Sequence, residues 1–187
     1  VSASTQNQAF SALLFLCREV LGIPLDDVSS GVKAKRGLRL PVVLSMPETA
    51  SLLAAMSGTA RLMATLIYGG GLRVSECCEL RVKDLDFDQG LVFVRSGKGD
   101  KDRQVPLSDP ARVAIAKWLH MRAGALAEGE TSRYLFPSRG RTGHLTRQRF
   151  AQLLKEAPLA AGIDPARVSP HVLRHAFASH LLEAGAD

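Results

Sequence analysis

His171 and Arg174 lie three residues apart in the run Ser169-Pro170-His171-Val172-Leu173-Arg174-His175-Ala176-Phe177-Ala178-Ser179-His180. Ser169 can cap a helix and Pro170 suits its first position, so the run should be helical. Residues three apart on a helix share a face. An imidazole that moves protons therefore stands beside a guanidinium with five donors and a permanent charge. That pairing suits an anionic centre, above all a phosphate. Leu173, Phe177 and Leu181 fall on another face and should point to the core. Taken alone, the run reads equally well as a solvated helix whose His and Arg have no task.

A second stretch adds to it. Gly69-Gly70-Gly71-Leu72 leads into Arg73-Val74-Ser75-Glu76 and then Cys77-Cys78-Glu79-Leu80, which places an arginine just after a glycine break. Between the two arginines, Lys98 stands between glycines in Ser96-Gly97-Lys98-Gly99-Asp100-Lys101-Asp102-Arg103. On spacing alone that is a charged hairpin turn. Together the three boxes resemble the catalytic domain of the tyrosine recombinases, or phage-type integrases. The first matches the box of the family's first catalytic arginine, the hairpin that of its lysine, and the His-x-x-Arg-His run that of its second arginine. The resemblance spans about residues 38–187 and implies a catalytic role for Lys98 that the spacing does not.

The chemistry can also be built from the residues. Arg73 and Arg174 can bind the nonbridging oxygens of a phosphodiester, each bidentate and always charged. Lys98 can protonate the leaving 5′ oxygen, since a lysine lowers its pKa when desolvated. His171 would assist proton movement at the nucleophile. Glu76 would hold the cluster in place, or else be a surface acid. No metal or nucleotide cofactor is needed, because two arginines supply the charge a cation would bring. A metal site on His171 and His175, four apart on a helix, is the rival. It lacks the Glu of His-Glu-x-x-His, and no third ligand is evident.

The rest of the chain must position these groups. Its 187 residues suffice for one sizeable domain, or one domain and a fragment, and at 46% apolar and 22% charged it has an ordinary globular composition. The net charge of +6 favours a polyanionic partner, and the resemblance to the recombinases implies that this partner is double-stranded DNA. Basic residues gather in two clusters, Lys33, Lys35, Arg36 and Arg39, then Arg133, Arg139, Arg141, Arg147 and Arg149. Lys33, Lys35, Arg36, Arg139, Arg141, Arg147 and Arg149 are the candidate DNA-binding residues. Cys17, Cys77 and Cys78 give an odd count with two adjacent, so the expectation is no disulfide framework and a reduced, cytoplasmic setting. No apolar run reaches the length of a membrane span.

The expected fold is mainly α with a small three-stranded antiparallel sheet, the recombinase catalytic fold, incomplete at its carboxy end. A helix starting at Ser4 or Thr5 and running to residue 21 carries a stripe of Ala9, Leu13, Leu16 and Val20. Its words Ser4-Thr5-Gln6-Asn7-Gln8-Ala9 and Arg18-Glu19-Val20-Leu21-Gly22 resemble the end of the amino-terminal DNA-clamping domain of integron-type integrases. Residues 1–23 are read as the last helix of that domain, 24–41 as a basic linker and 42–187 as the catalytic domain. Helices are expected from the capping box at Ser45 to about 56, over 59–68 and 74–80, and from Ser108 to about 121. Two more follow Thr146 and Ser169, the first ending near 157 before Pro158. In these, Leu62, Leu66 and Ile67, then Phe150, Leu153 and Leu154 should face inward, while Val113, Ile115, Trp118 and Leu119 are the apolar residues of the helix that Ser108 starts. Strands are expected over 84–87, 91–95 and 103–107, with a short extended piece at 134–137.

One part of the family pattern has no match in this sequence. In the family a tyrosine beyond the His-x-x-Arg-His helix attacks the phosphate, forms a 3′-phosphotyrosine and is later displaced by a second DNA end. The tyrosines here are Tyr68 and Tyr134, neither at a matching position, and both read as packing residues. The chain ends at Asp187. The expectation is therefore a recombinase sequence truncated before its nucleophile and inactive by itself, or, as the alternative, a non-catalytic DNA-binding fragment of a degenerate recombinase. The first third resembles integron integrases and the last third the Xer-type recombinases. The resemblance also implies partner subunits, since the family assembles as a tetramer on DNA.

Overall fold

Two compact units, Val1–Pro41 and Val42–Asp187, divide the chain in the computed structural model, which describes residues 2–23, 34, 42–95, 102–122 and 131–185. In the first unit α1 spans Ala3–Phe15 and continues as a π-helical turn, Leu16–Val20. Ser2, rather than Ser4 or Thr5, is its cap: the Ser2 hydroxyl accepts from the Thr5 N–H at 3.2 Å. No residue of α1 is buried, so the expected apolar stripe is exposed within this unit. Asn7 holds the backbone of Ala34 at both its N–H and its C=O, at 3.0 and 3.2 Å.

The second unit is built around α3, Gly58–Gly70, which packs against α2 (Met46–Ala55), α4 (Val74–Glu79), α5 (Asp109–Arg122), α6 (Arg147–Glu156) and α7 (Pro170–Glu183). The reason is in its sequence. Leu62, Met63, Ala64, Leu66 and Ile67 point in several directions around the helix and are all buried, as suits a helix covered on most sides. The capping box of α2 forms in full: Ser45 Oγ accepts from the Glu48 N–H, and Glu48 accepts from the Ser45 N–H at 2.8 Å. Glycine ends α3 later than expected. Gly69 and Gly70 remain helical, and Gly71 alone turns into the left-handed region at φ 56°.

Between α4 and α5 lies an antiparallel sheet in the order β1 (Leu85–Asp86), β2 (Leu91–Val94), β3 (Arg103–Pro106), with Val92 opposite Val105 and Val94 opposite Arg103. Each strand is shorter than the sequence suggests. Asp84 belongs to a 3-10 turn, Val82–Asp84, because its carboxylate accepts the Arg81 N–H and caps the turn. The loop carrying Lys98 lies outside the described residues, as do Lys33, Lys35, Arg36 and Arg39. Residues 134–137 form isolated bridges, Tyr134 to Arg81 and Pro137 to His144.

One inward assignment, that of Leu181, needs correcting, and the apolar residues of α5 divide between core and solvent. On α5, Val113 is 55% exposed, while Ala111 and Ile115 face the core with Trp118 and Leu119 beside them. Positions 111, 115, 118 and 119 share one face, and 113 lies across the helix from it. On α7, Leu181 is 45% exposed; the buried line is Leu173, Ala176 and His180. Eight residues on from Leu173, Leu181 has turned about 80° away from it. On α6, Phe150 and Leu154 are buried as expected, and the helix ends at Ala157 before Pro158. Among the described residues no helix is long and apolar enough to cross a membrane.

Candidate active site

Arg73 is placed by the end of α3 and the start of α4. Gly71 lets the chain reverse after α3, Leu72 is buried, and Arg73 becomes the extended residue capping α4. Glu76, at the third position of that helix, reaches back to accept the Arg73 backbone N–H at 2.7 Å. This is the reciprocal half of a capping box, fixed by a three-residue spacing. The same carboxylate accepts Arg73 Nη1 at 2.7 Å.

Arg174 arrives from α7, whose start is set by Ser169: the Ser169 hydroxyl accepts from the Val172 N–H, with Pro170 in the first turn. Its Nη1 donates to the carbonyl of Gly71, two residues before Arg73. The two arginines singled out from the sequence are thus brought together by one turn of backbone. Burial lowers the pKa of Arg174, and the charges of Arg73 and Arg103 lower it further against the pull of Glu76. Partly desolvated cations crowded together form a place where an anion is stabilised.

Arg103 is the member of the cluster that sequence reasoning missed. It stands at the start of β3 and grips Glu76 with both terminal nitrogens, Nη1 to Oε1 at 2.8 Å and Nη2 to Oε2 at 2.6 Å. Glu76 is therefore no surface acid; its side chain is 6% exposed. Burial would raise its pKa, but hydrogen bonds from Arg103 and then Arg73 outweigh this and hold it at about 2. The hint in the sequence was a buried-type acid on a short helix with one cation nearby. The second cation comes from 27 residues away, across a sheet no local pattern reveals.

The arrangement repeats one step along the chain. Asp84, also buried, accepts the Arg81 N–H at 3.2 Å and Arg95 Nε at 2.7 Å. Arg95 follows β2 and Arg103 opens β3, so both stems of the β2–β3 hairpin are tied to acids on the segment after Arg73. Lys98 falls between them in sequence.

His171 is exposed, one turn before Arg174, and lines a cleft of about 630 Å³ with Glu79, Thr146 and Arg147. On the other side of α4, a cleft of about 510 Å³ is lined by Glu76, Asp84 and Arg95, and Glu79 and His144 border both. Arg133, Arg139, Arg141, Arg147 and Arg149 are all exposed. Arg133 lies over the Tyr134 ring at 5.0 Å, and Arg149 reaches Gln152 at 3.4 Å. The two tyrosines have other work. Tyr68 hydrogen bonds the buried His180 at Nδ1, 3.0 Å away. Tyr134 packs its ring on His144 with centroids 4.8 Å apart.

Known proteins resemble this chain in sequence and in fold. The Tyrosine recombinase XerD of Caulobacter vibrioides is 48% identical over 198 residues, covering all of this chain and 65% of the relative. An Integrase/recombinase of Escherichia coli is 37% identical over 222 residues, covering all of this chain and 65% of its own length. The crystal structure of XerA recombinase superposes on the whole chain with a TM-score of 0.68 at 32% identity, over 65% of its own chain. XerH recombinase, solved with its difH substrate in a pre-cleavage complex, shares the fold, with a TM-score of 0.78 at 24% identity over the whole chain and 57% of its own. The chain spans less than two thirds of the length of these relatives. The profile of the phage integrase family matches residues 43–187, the unit that holds Arg73, Glu76, Arg103, His171 and Arg174, and the chain belongs to that family of tyrosine recombinases.

Proposed function

We propose that this chain carries the phosphate-activating half of a site-specific DNA recombinase. The observation that supports it most directly is that Arg73 and Arg103 share the buried Glu76 carboxylate while Arg174 donates to the carbonyl of Gly71, two residues before Arg73, with His171 a turn before Arg174. Arg73 and Arg174 bind the nonbridging oxygens of the scissile phosphate. A tyrosine attacks phosphorus, forming a phosphotyrosine at the 3′ end as the bond to the 5′ oxygen breaks. Lys98 gives that oxygen its proton, and His171 assists removal of the tyrosine's. Two fixed cations balance the charge gained in the transition state, so the residues present provide for the reaction without a metal. A second DNA end reverses the sequence and rejoins the strands.

The DNA lies along the basic surface. Arg139, Arg141, Arg147 and Arg149 contact phosphates from the exposed segment leading into α6, and Lys33, Lys35 and Arg36 do so from the segment read as a linker. Residues 1–23 end a DNA-clamping domain, and further recombinase subunits complete a tetramer. Residues 1–187 alone bind DNA and do not cleave it, since Tyr68 and Tyr134 are held by His180 and His144.

The test joins residues 1–187 to a family-type carboxy-terminal segment bearing the tyrosine and offers a nicked duplex from which the cleaved strand diffuses away. A covalent protein–DNA adduct at a 3′ phosphate is expected, and it should vanish when Arg73 and Arg174 are both replaced by Ala. An adduct that survives the double replacement would refute the reading.

A further inference from the structure

We propose that Arg103 is a positioning residue for phosphodiester cleavage: by occupying both oxygens of Glu76 it leaves the outer edge of Arg73 free to hold the phosphate. This rests on the function proposed above. A carboxylate offers about four acceptor sites. Those of Glu76 are filled by the Arg73 N–H, Arg73 Nη1, and Arg103 Nη1 and Nη2, all between 2.6 and 2.8 Å. Among the described residues the Arg73 guanidinium donates to Glu76 through Nη1 alone. Its remaining donors are available to an anion.

Removing Arg103 vacates two strong acceptor sites in a nearly buried carboxylate. Such a group does not stay half-satisfied when a cation is in reach. Arg73, three residues away and already bonded once, would turn its planar fork inward and take both oxygens. The phosphate would lose a two-point contact, and Glu76 would cancel the charge of Arg73 instead of that of Arg103. The damage would thus come from Glu76, through its freed charge, rather than from the missing arginine itself. A residue with a purely structural role has no such dependence.

That dependence gives the experiment. The protein is residues 1–187 joined to the tyrosine-bearing segment, and the variants are Arg103→Ala, Arg103→Lys, Glu76→Gln and the double variant Arg103→Ala/Glu76→Gln. DNA affinity and the rate of covalent-complex formation on the nicked duplex are measured for each, with thermal unfolding alongside. Arg103→Ala should bind DNA within about 3-fold of wild type and cleave roughly 30-fold or more slowly. Arg103→Lys should regain part of the rate. The double variant should return to within about 3-fold of Glu76→Gln alone, because a neutral amide cannot capture Arg73. A double variant as slow as Arg103→Ala, or slower, would overturn the assignment, as would an Arg103→Ala protein that cleaves at the wild-type rate. If the wild-type protein binds DNA and forms no adduct, the proposed reaction itself falls and this assignment with it.

Discussion

The ring of Phe177 occupies the space a side chain on Gly71 would need: a Cβ built there would lie 2.5 Å from both Cδ1 and Cε1. Gly71 also sits at φ 56°, where a side chain is strained whatever the room. Two separate demands thus fall on one residue. Its carbonyl takes the Arg174 guanidinium while its Cα lets α7 close on the end of α3. The two arginines meet because a helix end and a helix face can approach this closely.

Replacing Gly71 by Ala should therefore be worse than replacing Gly58, which has a similar φ of 54° and nothing within 4 Å of a built Cβ. Gly58→Ala should cost about 1–2 kcal/mol from backbone strain. Gly71→Ala should add about 1–3 kcal/mol for displacing the ring. Urea unfolding of the two variants compares them directly. Equal losses would mean that the approach of Phe177 is not what keeps a glycine there.

Acid should destabilise the second unit through two separable contributions. Glu48, hydrogen bonded by Arg167 and by the Ser45 N–H, is held at about 2, as is Glu76, against an ordinary value of 4.5. Both carboxyls are thus depressed by folding. Their stabilisation is complete above about pH 4.5 and is lost as pH falls toward about 2. The Glu48–Arg167 pair is partly exposed, whereas Glu76 is nearly buried. At about 1 M salt the Glu48 share should largely disappear and the Glu76 share persist. Urea midpoints at pH 5 and pH 3 for Glu48→Gln and Glu76→Gln, in low and high salt, read this out. An identical salt response for both variants would contradict it.

What could be read from the sequence, and what could not, follows from the range of each interaction. The Ser45 box, the Thr146 and Ser169 caps and the stop at Pro158 are local, decided within four residues, and the structure has them where the spacing put them. Arg73 and Arg174 were legible because each sits beside a local signal, a glycine break and a helix start. Arg103 was not, because its partner is across the sheet, and nothing in a hairpin sequence says which arginine faces an acid on α4. His180 was hidden for a related reason. A polar residue buried on α7 makes sense only once Tyr68 of α3 is seen to satisfy it. Leu181 erred in the opposite direction: apolar type suggested burial, and helix phase decided otherwise.

Tyr68 gives a third prediction. Burial raises the pKa of its hydroxyl, which hydrogen bonds His180. Tyr68→Phe would leave a buried ring nitrogen without its partner and should destabilise the fold by about 1–3 kcal/mol. It should leave DNA binding by residues 1–187 unchanged, and neither the parent nor the variant should form an adduct with a nicked duplex. An adduct in the parent that disappears in Tyr68→Phe would make Tyr68 a nucleophile and reverse its assignment.

Binding by residues 1–187 should depend steeply on salt. The exposed arginines at 139, 141, 147 and 149 would each displace counterions from the duplex, so the logarithm of affinity should fall linearly with the logarithm of salt concentration. Replacing Arg141 and Arg149 together by Ala should reduce that slope by about 2 while leaving the fold intact, since neither side chain is buried. An unchanged slope would move the DNA off this surface.

The last prediction separates the two cations from the proton donor. In the protein joined to a tyrosine-bearing segment, Arg174→Lys should still bind DNA but lose most cleavage, because a point charge replaces a planar fork that also grips Gly71. Losing one such contact to developing negative charge typically removes about 3–4 kcal/mol of transition-state stabilisation, or roughly 10²–10³ in rate. Lys98→Ala should be slow for a different reason: the 5′ oxygen leaves as an unprotonated alkoxide. A substrate with sulfur in place of that oxygen needs no proton to depart, so it should restore the rate of Lys98→Ala and leave Arg174→Lys slow. Rescue of both variants, or of neither, would mean that Lys98 and Arg174 do not divide the chemistry in this way.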